Sequence, residues 1–229
     1  MVNALRLSAA AGLVLALGAA SSAHAQVSID TSLTGLPVDP NFLSVNLTGV
    51  PLGSSAPFTI GSGSSAITVS FNGTPSIQGV VQGSLTDEYA APVTDSSGDK
   101  YAGNYFSTGN VGDIEFSFTG NQFALALLWG SVDLSNQITF LENGTVVATV
   151  LGSDINANAN GSQGFGGSYY TLINTTLPFD EVELSSGVTS FESAEYEVDP
   201  QNFGVPEPAS VAAFGVGLLG LAAMRRRRA

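Results

Sequence analysis

Apolar and polar residues alternate with a period of two through much of the chain between residues 66 and 198, and helical spacing is scarce. Residues 113–118 read Asp-Ile-Glu-Phe-Ser-Phe, which puts Ile114, Phe116 and Phe118 on one face of a strand. Residues 123–129 are apolar on both faces, the pattern of a central strand covered on both sides. Residues 138–140 and 146–150 flank Asn143-Gly144, a type I′ hairpin signal because both turn positions need positive φ. Residues 66–71, 77–81, 169–173, 182–184 and 191–198 predict further strands, separated by Gly-, Ser- and Asn-rich punctuation. The chain contains 27 glycines, which fits many short turns. This pattern predicts an all-β fold, an antiparallel β-sandwich of which the jelly roll is one form.

The two ends depart from the pattern. Arg6 precedes an uncharged apolar run over residues 7–20, and Ala23-His24-Ala25 places small residues ahead of a cut between Ala25 and Gln26. Residues 1–25 are therefore expected to be a secretory signal peptide. At the other end, Pro206-Glu207-Pro208 leads into an apolar run over residues 209–224 and then Arg225, Arg226, Arg227 and Arg228. As a helix this run rises ~1.5 Å per residue, giving about 24 Å against a hydrocarbon core of about 30 Å. It predicts one short transmembrane helix over 209–224, with the four arginines held on the cytoplasmic side as a membrane stop. Residues 26–205 form the single domain on the far side. Gly215, Gly217 and Gly220 satisfy GxGxxG, but they lie inside this run, with no strand before them to build a dinucleotide loop.

Charge sharpens the picture of that domain. Of 19 acidic residues only Glu207 lies outside it, and of 6 basic residues only Lys100 lies inside, so 18 carboxylates face one lysine, a balance of −17. Such a field repels nucleic acid and anionic lipid, and it attracts divalent cations. Cysteine is absent and the single histidine, His24, sits in the signal peptide. Ser-His-Asp and Cys-His triads, histidine metal sites and arginine clamps are thereby excluded. Two-carboxylate glycoside hydrolysis stays chemically open, and Ser-Lys chemistry only through Lys100. No catalytic and no cofactor-binding residue is predicted.

Calcium is the one ion with candidate ligands. Asp154, Asn156, Asn158 and Asn160 resemble the start of a calcium loop, but Gly167 stands where a loop starting at Asn156 needs its glutamate. Asp87 and Glu88, with Asp95 and Asp99 behind them, form a comparable group. Glu195, Glu197 and Asp199 are read as the solvent face of an edge strand, where like charges block edge pairing. Trp129 is assigned to the core. Tyr89, Tyr101 and Tyr105 are the aromatics that would serve a sugar-binding surface if exposed.

Val205, Pro206, Glu207 and Pro208, the Gly/Ala/Leu-rich run and the terminal arginines, in that order, resemble the PEP-CTERM sorting signal. The resemblance implies a bacterial exported protein, recognised in the inner membrane by an exosortase, a processing protease that cuts near Pro206–Pro208. It also implies an association with exopolysaccharide and biofilm. Leu128-Trp129-Gly130-Ser131-Val132-Asp133, followed by Ile138-Thr139-Phe140 and the Asn143-Gly144 turn, is similar to a body recurrent among exosortase-dependent surface proteins. That likeness spans about residues 85–155 and implies no activity. The expectation is a non-enzymatic surface or extracellular-matrix protein, first membrane-anchored and then released to the cell surface. A carbohydrate-binding module and a carboxylate-dependent glycoside hydrolase are the alternatives.

Overall fold

Two pairs of the predicted segments, 113–118 with 123–129 and 169–173 with 182–184, each join into one long strand, and four short strands appear besides. The computed structural model describes residues 25–35, 42–63, 66–73, 78–188 and 190–199. The segment 1–24, the sorting motif 205–208, the run 209–224 and Arg225–Arg228 lie outside the described residues.

Among the described residues eleven strands follow in order: β1 (Val27–Ser32), β2 (Leu43–Val45), β3 (Phe58–Ile60), β4 (Ile67–Gly73), β5 (Gln78–Val81), β6 (Tyr105–Thr108), β7 (Gly112–Gly130), β8 (Asn136–Glu142), β9 (Thr145–Leu151), β10 (Tyr169–Ser186) and β11 (Phe191–Asp199). A single helical turn, α1 (Gly152–Ile155), follows β9. Every strand ladder is antiparallel, in the order β5-β6-β11-β7-β10-β8-β9, with β1 on β10, β2 on β11 and β3 on β4, which itself pairs with β7. The fold is all-β with almost no helix. Among the described residues no helix is long and apolar enough to cross a membrane.

β7 and β10 each serve two sets of neighbours. The first half of β7 pairs with β4, from Gly112↔Gly73 to Phe118↔Ile67. Its second half runs between β10 and β11, with Leu128 opposite both Tyr170 and Ala194. Between the halves, Thr119, Gly120 and Asn121 are exposed, and the buried positions change from Ile114 and Phe116 to Leu125, Leu127 and Trp129. A strand has a side-chain period of two, so this even-to-odd switch re-aims the whole second half. β10 does the same: its register slips between Asn174 and Phe179, around Pro178, which has no N–H for a ladder.

The switch lets the sheet fold over on itself. Phe106 on β6 packs 5.4 Å from Phe116 and 6.1 Å from Phe71, although neither β4 nor the first half of β7 is a ladder neighbour of β6. Tyr196 on β11 completes the group, 4.9 Å from Phe116 and T-shaped to it. Edge-to-face rings of this kind add to the burial of apolar area that holds the two arms together. Trp129 is fully buried in this core and stacks on Phe191 at 4.8 Å, as assigned from sequence. Asn143 and Gly144 have φ of 50° and 71°, the left-handed pair that the β8–β9 hairpin requires.

The outer face of β6, β11 and β7 is also covered. Ala91 and the half-buried Tyr89 and Tyr101, from the connection between β5 and β6, pack against Tyr105, Leu128 and Ala194. That accounts for the doubly apolar second half of β7. It also corrects the reading of Tyr105, which is fully buried, its hydroxyl donating to the Gly83 carbonyl at 2.5 Å. β11 is likewise no edge strand. It lies between β7 on one side and β6 and β2 on the other, and Asp199 is buried.

Candidate functional site

The segment from Trp129 to Asn136 is a built turn at one end of the sheet. β7 ends at Gly130, Ser131 takes a φ of 43°, and the chain turns back into β8. Asn136 organises the turn from its buried position. Its Oδ1 accepts the Trp129 indole N–H at 3.3 Å and the Asp133 backbone N–H at 3.2 Å, and its Nδ2 donates to Ser186 Oγ at 3.2 Å. Asp133 Oδ1 accepts from the Ser135 backbone N–H at 2.6 Å, closing an Asx turn. The Trp-Gly-Ser-Val-Asp run is thus explained residue by residue: a core anchor, a glycine beneath a neighbouring loop, a left-handed serine, a buried core valine and a turn-capping aspartate.

Two other segments are bonded directly to this turn. Gly161 N donates to Val132 O at 2.9 Å, and Val132 N donates to Gly167 O at 2.8 Å. Asn110 bridges to Ser186, and Asp133 bridges to Asn160. The turn at Leu85–Tyr89, bridged within itself and with Asp87 at a φ of 63°, borders the same cleft. Together they enclose a cleft of about 370 Å³ that brings Asp87, Glu88, Asn110, Asn160 and Glu192 to one place, over Ser131. Gln163 and Ser190 contribute further amide and hydroxyl groups, and Val188 stands at the wall, 72 % exposed.

Glu192 is the side chain at the base. It is 1 % exposed and lies between Gly130 on β7 and Ser107 on β6. Its Oε1 accepts from Ser190 Oγ at 2.6 Å and from the Ala90 backbone N–H at 3.2 Å. The Ser131 side chain also favours the charged carboxylate, yet burial outweighs these bonds and pushes the Glu192 carboxyl up. Oε2 has no hydrogen-bond partner of normal geometry, and neither has the buried Ser107 Oγ opposite it. Lys100, the one lysine, donates from Nζ to the Gln163 carbonyl and senses Glu192 as its nearby charge; partial burial lowers its pKa.

Of the predicted calcium ligands, Asn160 of the first group and Asp87 and Glu88 of the second reach this cleft. Asp154 Oδ2 accepts the Leu151 N–H at 2.8 Å and caps α1. Asn156 is tied to the Asn158 N–H through Oδ1 at 2.9 Å and to Tyr169 Oη through Nδ2 at 3.0 Å. Asp95 Oδ1 accepts from Ser97 N and Asp99 N within its own turn. Among the described residues no three His, Cys, Asp or Glu side chains are placed to share a metal ion. Glu195 and Glu197 line a second, smaller hollow of about 210 Å³ with Tyr101 and Asn104. There Asn104 Nδ2 is spent on the Leu47 and Val50 carbonyls.

Sequence reasoning missed Glu192. Its signal was a carboxylate next to Phe191 in a strand that was assigned to an edge. Only the extra coverage of β11 makes that carboxylate a buried one.

At the amino end, Ala25 N donates to Val147 O at 2.9 Å, and Gln26 N donates to Thr176 Oγ1 at 2.8 Å. The expected cleavage point therefore lies one residue before β1. No curated protein sequence matches the chain beyond chance. Residues 204–228 match the family model of the PEP-CTERM protein-sorting motif, and the chain thereby carries the signal of exported proteins that an exosortase sorts.

Proposed function

We propose that this is a non-enzymatic protein of the bacterial cell surface or extracellular matrix. It is held briefly in the inner membrane by residues 209–224, cut near Pro206–Pro208 by an exosortase, and associated outside the cell with exopolysaccharide. The observation that carries the reading is the sorting motif at residues 204–228 behind a domain of −17 charge. That domain offers no histidine, cysteine or arginine for catalysis. Its two packed arms suit the two layers of a β-sandwich. In this reading the protein needs no cofactor, and calcium acts on the surplus of carboxylates as a counter-ion. The test is a strain lacking its exosortase: full-length protein should collect in the inner membrane while the processed form disappears from the surface. Unchanged size and surface amount in that strain sinks the proposal.

A second reading, a carbohydrate-binding module, is favoured by the polar cleft over Glu192. Retardation of the protein in gels containing the producer's own polysaccharide tests it; mobility equal to that in plain gels counts against it. The glycoside-hydrolase alternative draws on the same buried carboxylate, but needs a second one at a defined separation across a bound sugar.

A further inference from the structure

The cleft over Glu192 has the size of a small-molecule site. Its volume of about 370 Å³ falls in the usual range of ~300–1,000 Å³. A bare ion needs far less, and the described residues hold no set of three acidic ligands for one. The amides of Asn110, Asn160 and Gln163 and the hydroxyls of Ser131 and Ser190 line the wall, which suits a polyhydroxylated ligand. An exposed apolar side chain stands at it: Val188 is 72 % exposed. Such a residue can lie against the C–H face of a pyranose ring.

Charge selects among sugars. Asp87, Glu88 and Glu192 bring three carboxylates to the cleft. The nearby ammonium of Lys100 already donates to a backbone carbonyl. A uronic acid would meet repulsion here, and an ammonium would be drawn in. Among the residues lining the cleft, the 99 % buried Glu192 keeps Oε2 without a hydrogen-bond partner of normal geometry. Buried polar atoms of folded proteins are almost always paired, so an exception on a side chain that lines the cleft points to a ligand that supplies a donor. We propose that this cleft binds an amino-sugar unit of a glycan, with the ammonium held by the carboxylates and the ring hydroxyls by Asn110, Asn160 and Ser190.

The inference rests on the glycan part of the proposed function, but it is tested apart from sorting. The full-length chain, in a polyoxyethylene detergent, is titrated calorimetrically with glucosamine trisaccharide. N-acetylglucosamine trisaccharide, galacturonate trisaccharide, trilysine and CaCl₂ are the comparisons. The expected order is glucosamine trisaccharide first, the N-acetylated form at least tenfold weaker, and no heat from the uronate. Glu192→Gln, nearly isosteric, should weaken glucosamine binding tenfold or more, with near-UV circular dichroism unchanged. Asn160→Ala, at an exposed position, should weaken it severalfold and keeps the test decisive if Glu192→Gln fails to fold. Binding unaffected by Asn160→Ala, trilysine binding as tight as the sugar, calcium displacing the sugar at equal concentration, or no heat at all would each overturn the proposal. Normal sugar binding with failed exosortase processing would sink the sorting reading and leave the cleft assignment standing.

Discussion

Gly130 lies opposite Glu192 across the β7–β11 ladder, and a Cβ at Gly130 would stand 2.7 Å from Pro92 Cγ and 3.3 Å from Glu192 Cβ. The absence of a side chain at the end of β7 is what lets the Pro92 segment close over the buried carboxylate. Proline cannot rotate away as a longer side chain would. Gly130→Ala should therefore destabilise the chain by about 1–3 kcal/mol, the usual cost of overpacking. At this chain size that corresponds to a melting temperature lower by ~2–4 °C per kcal/mol. Thermal unfolding followed by circular dichroism checks it, and an unchanged midpoint would show that the segment moves aside freely.

The charge on Glu192 should make stability depend on pH in one direction. Burial raises its carboxyl pKa above the ordinary value, so the folded chain holds the proton more tightly than the unfolded chain. Below the unfolded value of about 4.3 both states are protonated and nothing is lost. As pH rises through the folded value, the buried group must ionise and stability falls. Glu181 and Glu183, raised by partial burial and by neighbouring Asp113 and Glu115, act with the same sign. Glu192→Gln should thus raise the melting temperature by several degrees near neutral pH and change it little at about pH 4. Equal shifts at both pH values would mean that ionisation is not the cause.

Asn136 carries more of the Trp-Gly-Ser-Val-Asp turn than the residues of that run do. Asn136→Ala would strand the Trp129 indole N–H and the Asp133 N–H and remove the bond to Ser186. Unpaired buried donors cost ~1–3 kcal/mol each, so a loss of about 2–4 kcal/mol is expected. Trp129 is the single tryptophan, so its fluorescence reports this site alone. The emission should shift to the red in the variant before global unfolding in urea. Coincident fluorescence and circular-dichroism transitions would contradict a local role.

Strand identity was legible because period-two alternation survives wherever one face is buried, as at Ile114, Phe116 and Phe118 in β7. The joining of 113–118 to 123–129 was not, because the parity change at Thr119-Gly120-Asn121 looks like a break in sequence and is a bend in space. β1, β2, β3 and β6 were not singled out. β2 and β3 are three residues each, and the alternation of β6, Tyr105-Phe106-Ser107-Thr108, is masked because all four residues are buried. Glu195 shows the limit for side-chain direction. Its φ of 51° sits in a register slip between Ala194 and Glu197, so residues before and after it face by different rules. The cleft was half legible: Asp87, Glu88 and Asn160 were suspected separately, but nothing local says that they meet over Glu192.

The sorting tail makes a paired prediction that separates anchoring from cutting. Each arginine at the end of a membrane helix resists entry into hydrocarbon by ~2.5–3.5 kcal/mol on insertion scales. Arg225–Arg228 together make passage of the tail very unfavourable, whereas the run at 209–224, rich in Gly and Ala, is a weak stop by itself. Replacing all four with Ser should let the chain leak into the periplasm or medium. Glu207→Ala instead alters the matched motif and leaves the stop in place, so an uncleaved precursor should stay in the membrane. The β-sheet core is built from residues upstream of Asp199, so neither variant should change its melting temperature. Fractionation with an antibody to the body distinguishes the two fates, and N-terminal sequencing of the released form should give Gln26 first. If both variants reach the surface at normal size and amount, residues 204–228 are not acting as the sorting signal.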